Sequence, residues 1–254
     1  MLSFKEKNDI QNDKKICCNI IDFAQQLLKQ QFPSVNGLQF TGYAPILENS
    51  GKWTYSLQMT RETPPSVQVH HTGHDHWVLS IQDTSGTVFL LDSKNPRQTV
   101  SASTQIQMSR IYSSNGNVIP FNLPTVQQQT NSIDCGVFAI AYAIEFCFKQ
   151  YAGGKGLTFN TSVMRDHLLQ CLSNKQLQPF PKVQPKKTLK LHKNTSVYIN
   201  IVKDYNAKCD LPNIYDNMVS CPECDNWFHY RCATDTTKES FSDCSFVCSN
   251  CKDK

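Results

Sequence analysis

Cys135 stands directly before a long apolar run, and Gln129 lies six positions ahead of it. Upstream, His76 opens one strand-like run and Asp92 closes the next. A thiol, an imidazole, a carboxylate and an amide are the parts of a nucleophilic hydrolase. The base takes the proton from sulfur, the acid orients the base, and amide donors stabilise the oxyanion. The step from a polar loop into a helix suits Cys135 to this work. Unpaired amides and the positive end of the helix dipole both favour a thiolate there. Gly136 leaves the residue beside the sulfur without a side chain, which would let a substrate carbonyl approach. The residues alone also admit blander readings. Cys135 could be a core cysteine, His76 could simply pack beside Trp77, and His70, His71 and His74 are alternative bases.

The elements that must hold these groups follow from periodicity. Ile20, Ile21, Ala24, Leu27 and Leu28 recur at helical spacing, and Pro33 ends that helix. Residues 53–60 and the SVQVH stretch before His71 read as strands. Residues 76–82 and 87–92 are rich in β-branched and aromatic side chains, and the turn 83–86 joins them into a hairpin. Antiparallel pairing would then bring His76 and Asp92 together. Residues 104–111 form a short helix, and 115–124 a loop with a short strand. The run 136–149, GVFAIAYAIEFCFK, is a buried central helix, too short to cross a membrane. A further helix covers 161–172. Residues 1–15 read as polar and loose. The stretch 175–193, with three prolines and Lys182, Lys186, Lys187, Lys190 and Lys193, reads as a linker or strapped surface arm.

The chain has 254 residues, 39% apolar and 18% charged, a globular profile large enough for one core and a small module. A net charge of +4 does not mark a nucleic-acid binder, so nucleic acid is not the expected main partner. The 12 cysteines show no disulfide framework, which points to a reducing compartment. With no signal-peptide pattern or spanning run, the expected location is the nucleus, with the cytoplasm as the alternative, and no membrane partner is expected.

A second cluster closes the chain: Cys209, Cys221-x-x-Cys224, His229-x-x-Cys232 and Cys248-x-x-Cys251. Pairs at this spacing turn two thiolates inward from one knuckle, and two knuckles make a tetrahedral zinc site. So small a segment lacks a core of its own, so the metal should carry its folding energy.

The pieces His76–Trp77, Asp92 within LLDSKNP, and QQTNSIDCG from Gln128 to Gly136 resemble the papain-like proteases of ubiquitin-like proteins. These are the Ulp/SENP type, including the copies carried by mobile genetic elements. The resemblance spans about residues 15–175 and implies an α+β papain-like fold. It implies that Cys135 attacks, His76 is the base, Asp92 orients it and Gln129 serves the oxyanion. Trp77 would wall a narrow tunnel for a Gly-Gly tail, and the partner would be SUMO, ubiquitin or another Gly-Gly-ended modifier. The family's usual opening Trp is absent from CCNIIDFAQQLL, although Asp22 is present.

The C-terminal segment, around CPECDNWFHYRC, resembles a PHD finger. That resemblance implies two interleaved zinc sites, one from Cys221, Cys224, Cys248 and Cys251, the other from Cys209, His229 and Cys232. The second lacks its fourth cysteine, with Asn206 at that place and Cys244 or Asp210 as substitutes. It also implies a histone-tail partner, with Trp227, Tyr205, Tyr215 and Met218 near cage-wall positions for a methylated lysine and Asp216 beside a basic peptide. Packing alone would account for Trp227 and Tyr215 equally well. The implied organisation is a protease domain over 1–178, a basic linker over 179–202 and a zinc finger over 203–254.

Overall fold

The structure is a computed structural model that describes residues 2–47, 53–54, 59–73, 75–95, 97–112, 118–149, 157–183, 196–202, 218–229 and 246–252. In chain order the strands are β1 (Asn36–Gly37), β2 (Ile46–Leu47), β3 (Trp53–Thr54), β4 (Ser66–His71), β5 (Trp77–Gln82), β6 (Val88–Leu91), β7 (Val118–Pro124), β8 (Ser196–Val202), β9 (Met218–Ser220) and β10 (Trp227–His229). The helices are α1 (Phe4–Gln11), α2 (Cys18–Gln31), α3 (Ala102–Ile111), α4 (Cys135–Lys149), α5 (Met164–Asn174) and α6 (Ser249–Lys252).

Six strands build the central sheet in the order β1-β4-β5-β6-β7-β8. The β1/β4 and β6/β7 pairs are parallel and the others antiparallel. Alternation along β5 decides the two faces. Trp77, Leu79 and Ile81 join the core under α2 and α4, while Val78 joins a second core with Met108, Ile111 and Tyr112 of the α3 side. A sheet covered on both faces selects strands that are apolar almost throughout, as β5 and β6 are. Helix α4 is hydrophobic all round, and its described residues from Cys135 to Cys147 are buried. Helix α2 buries Ile20, Ile21, Ala24, Leu27 and Leu28 and stops at Gln31, just before Pro33.

Several expectations need correction. Residues 1–15 are not loose. Helix α1 carries a capping box, in which the Ser3 hydroxyl accepts from the Glu6 amide and the Glu6 carboxylate accepts from the Ser3 amide. Ile10 and Leu2 are buried beneath it. Residues 196–202, read as linker, form β8 and pair along the whole of β7, from Pro124↔Ser196 to Val118↔Val202. The run SVYINIV has β-branched residues suited to a strand, and it covers what would otherwise be an open sheet edge. Ahead of it, Leu177 and Phe180 are buried in the main core. The Lys182 ammonium lies 2.6 Å from the buried Glu145 carboxylate of α4. The front of this segment is therefore strapped to the domain; Lys186, Lys187, Lys190 and Lys193 lie outside the described residues. The strand expected over 53–60 is seen only at Trp53–Thr54, since 55–58 lie outside the described residues.

Candidate active site

The hairpin register Leu79↔Leu91 sets the start of β5 beside the end of β6. His76 stands just before the one strand and Asp92 just after the other, and the His76 Nε2 to Asp92 Oδ1 distance is 2.7 Å. That oxygen also accepts the Lys94 amide at 2.8 Å, which anchors the carboxylate in its loop. Helix α4 packs on β5 and delivers Cys135, whose thiol is the other hydrogen-bond partner of the imidazole. With Nε2 engaged by Asp92, Nδ1 is the ring nitrogen left for sulfur.

The electrostatics follow from this packing. Burial by itself pushes the His76 imidazole down. The hydrogen bonds that the ring donates to Asp92 and Cys135, with the negative charge of both, outweigh burial and raise it from 6.5 to about 9. Burial likewise pushes the Cys135 thiol up. The His76 bond, the Trp77 amide, the imidazolium charge and the Gly136 amide overcome it, and the thiol lies below its ordinary value. The shifts match a thiolate–imidazolium pair, the form a nucleophilic cysteine uses.

The competing histidines fall elsewhere. His70 is fully buried on the α3 side, with Nδ1 2.9 Å from the Gln107 amide oxygen and Nε2 2.6 Å from the Ser80 hydroxyl. Burial drives it down to about 4, so it is held neutral. His71 stacks edge-on against Trp77 with ring centroids 4.8 Å apart. His74 lies outside the described residues.

Gln129 sits in the loop ahead of α4. Its side-chain oxygen accepts the Ser93 hydroxyl at 2.7 Å, and its Nε2 donates to the Asn131 carbonyl at 2.7 Å. An amide nitrogen carries two hydrogens, and the second has no partner among the described residues. The main-chain amide of Gln129 donates to the Ser93 carbonyl at 2.8 Å, so the acid loop and the Gln129 loop are laced together.

Two residues expected from sequence to contact substrate pack against the N-terminal segment. Trp77 is only 7% exposed and packs in the main core, its indole N–H donating to the Ile16 carbonyl at 2.9 Å. Its ring thus braces the N-terminal segment. A Cβ on Gly136 would stand 2.7 Å from the Ile16 Cβ. The glycine makes room for Ile16. Cys135 itself is 2% exposed. Beside Asp92, a cavity of about 270 Å³ opens between Asn95, Leu123, Thr125 and Gln128. Sequence reasoning missed Ile16 and the Trp77 amide, because both act through contacts across more than 50 residues of chain.

At the C-terminal end, the sulfurs of Cys221, Cys224, Cys248 and Cys251 all lie within 4.8 Å of one another. The Cys248 amide points at the Cys221 sulfur at 3.4 Å, and the Asn226 amide donates to the Cys224 sulfur at 3.1 Å. Four convergent sulfurs with amide donors around them fit a tetrahedral zinc ion. Phe246 and Phe228 pack against the cluster. His229 is fully buried on β10 and is not one of these four ligands. Cys209, Cys232, Asn206, Asp210 and Cys244 lie outside the described residues, as do Tyr205, Tyr215 and Asp216. The register Trp227↔Ser220 and His229↔Met218 puts Trp227 and Met218 diagonally on one face of the β9–β10 ribbon, with Trp227 41% exposed.

No family model matches the chain, and no curated protein matches it. Among solved structures, the chain is similar to the C-terminal Ulp1 protease domain in complex with Smt3, the yeast ortholog of SUMO. That match is 16% identical with a TM-score of 0.45 and covers 68% of this chain and 83% of the other. It is similar to the SUMO protease Ulp1 with its catalytic cysteine oxidised to a sulfenic acid, at 15% identity and a TM-score of 0.47 over 68% of this chain and 84% of that one. A de-sumoylating protease matches at 15% identity and a TM-score of 0.44 over 69% and 86%.

Proposed function

We propose that the protein is a cysteine peptidase that cleaves after the C-terminal Gly-Gly of a ubiquitin-like modifier, SUMO or ubiquitin, at an isopeptide or precursor bond. The observation that carries the reading is the Asp92–His76–Cys135 arrangement, with 2.7 Å between acid and base and the thiol interacting with the same imidazole. In this reading the Cys135 thiolate adds to the carbonyl carbon of the last glycine. The oxyanion that forms is met by the second Nε2 hydrogen of Gln129 and the Cys135 amide. His76, protonated in the resting pair, gives its proton to the leaving amine, and the amine departs with the electrons of the broken C–N bond. The imidazole then takes a proton from water, the resulting hydroxide attacks the thioester, and the thiolate leaves. Asp92 holds the imidazole throughout. The modifier class rests on the resemblance of His76–Trp77, Asp92 and the Gln128–Gly136 stretch to the Ulp type.

One observation favours a second reading, a binding protein without hydrolysis: Cys135 is buried, so neighbouring groups must shift before a tail can reach it. A suicide probe separates the two. SUMO and ubiquitin carrying a C-terminal electrophile are offered to the full chain in parallel. Covalent capture by one of them, lost in Cys135→Ala, is the expected result; no capture by either leaves only the binding reading.

The four thiols of Cys221, Cys224, Cys248 and Cys251 hold a structural zinc in this proposal, in a PHD-type module that positions the peptidase on a histone tail. The shared face of Trp227 and Met218 is the support for a methyl-lysine contact there.

A further inference from the structure

Asp134 occupies the place just before α4, and its carbonyl accepts the Phe138 amide at 2.9 Å. An aspartate there ordinarily spends its carboxylate on the first free amides of the helix. Here it does not. Among the described residues, Oδ2 accepts only the Asn131 side-chain amide at 2.6 Å, while Oδ1 takes Nε and Nη2 of Arg165, each at 2.8 Å. Arg165 comes from α5, 30 residues downstream of Cys135, and its side chain is 11% exposed. Its remaining donors reach the Ile10 carbonyl at 3.1 Å and the Ile133 carbonyl at 3.4 Å, and Nε also lies 3.3 Å from the Asp13 carboxylate.

We infer that Arg165 is a positioning residue for the thiol site: its guanidinium clamps the loop that launches α4 onto the N-terminal segment and keeps the Asp134 carboxylate off the helix amides. The inference rests on the peptidase reading for what the sulfur does, and on geometry alone for the clamp. Three features support it. A largely buried guanidinium must be matched by acceptors, and every acceptor it finds belongs to the nucleophile loop, to the end of α1 or to the segment just after it. The bonds continue toward the reacting groups. Asn131 Oδ1 accepts the amides of Ile133 and Asp134 at 3.0 and 3.1 Å, the Asn131 carbonyl accepts Gln129 Nε2, and Gln129 holds Ser93 beside Asp92. Finally, with Asp134 drawn away and neutralised, the first amides of α4 stay open to negative charge at sulfur and oxyanion. Among the described residues, the charged groups around Cys135 are then His76 before β5, Asp92 after β6, the Arg165–Asp134 pair, and the Lys15–Asp75 ion pair beside Ile16.

The test uses the full chain with Arg165→Met, Arg165→Lys and the double variant Arg165→Met/Asp134→Asn. Two quantities are read: the pH profile of Cys135 alkylation by iodoacetamide, followed by mass spectrometry of its peptide, and kcat and KM on a ubiquitin-like protein bearing a C-terminal fluorogenic amide. For Arg165→Met, kcat should fall about 10- to 100-fold with KM little changed, as expected for a small misplacement of reacting groups. Its alkylation profile should move to higher pH, because an unneutralised carboxylate then stands beside the sulfur. The double variant should return the profile while kcat stays low, which a merely structural role would not produce. Folded Arg165→Met with wild-type kcat and an unmoved profile overturns the inference. Should that variant fail to fold, Arg165→Lys decides: it keeps the charge and loses the fork, so a lowered kcat with an unmoved profile supports the clamp and wild-type kcat overturns it. If the wild-type chain turns over no such substrate, the peptidase reading falls, and the alkylation profiles still decide the clamp.

Discussion

His70 pairs with Val78, two positions along from His76, yet the two histidines meet opposite fates because their neighbours differ. His70 and His76 both lose water on folding. Around His70 stand only neutral partners, Gln107 and Ser80, so burial wins and the ring stays uncharged near neutral pH. Around His76 stand a carboxylate and a thiol that ionises early, so charge wins and the ring is held protonated up to about 9. This sets the expected pH dependence. The kcat/KM profile should rise as the Cys135 thiol ionises, below the ordinary thiol range, and fall near pH 9 as the imidazolium is lost. Asp92→Asn should move the falling limb toward 6.5 and lower kcat by about two to four orders of magnitude. The raised imidazole also contributes to stability. That contribution is full below 6.5 and disappears as pH rises through about 9. Urea unfolding should therefore show a larger deficit for Asp92→Asn at pH 6 than at pH 10; equal deficits would contradict the pairing.

The N-terminal segment behaves as part of the site's frame. Capped by Ser3 and buried through Ile10 and Ile16, it runs against the start of α4, and the Trp77 indole holds its carbonyl. At Gly136 this segment packs closely on α4, where Ile16 fills the space a side chain would take. A methyl at 136 should push Ile16 away and cost about 1–3 kcal/mol, an overpacking penalty. The companion change Ile16→Ala should cost less in the Gly136→Ala background than alone, because both act on one contact. Denaturant melts of the four proteins in this cycle read the coupling directly, and simple additivity would show that the contact does not matter. At the other edge, β8 carries the chain back along β7, so residues 196–202 belong to the sheet that holds the site.

At the scale of the whole chain, the described residues form hydrophobic clusters with no shared members: the two beside the central sheet, and a small one around Cys221, Phe246 and Cys248. The last holds too few apolar groups to fold by burial alone, and the metal is expected to supply the balance. Chelation of the purified full chain should release zinc, counted by elemental analysis, and abolish the structure of the C-terminal module. Cys135 alkylation and turnover should persist, since the peptidase core needs no metal in this proposal. Loss of Cys135 reactivity on chelation would show that the two parts depend on each other.

Much of this was legible along the chain because it depends on neighbours in sequence. Two runs of β-branched and aromatic residues around a turn disclose the hairpin of β5 and β6, an unbroken apolar run discloses α4, and two Cys-x-x-Cys knuckles disclose the four-sulfur cluster. The capping box of α1 and the strand pattern of SVYINIV are equally local, but the polarity of residues 1–15 and the lysines ahead of 196–202 mask them. Other features carry no local mark. Nothing around position 165 announces a guanidinium that reaches Asp134, and nothing beside position 136 says that Ile16 will occupy its space. Composition and periodicity determined which elements form and which chemical groups they carry. Only the packed tertiary structure decided which imidazole stands in a negative field, why a glycine is needed after the cysteine, and what holds its loop, because desolvation and close contact exist only between residues that folding brings together.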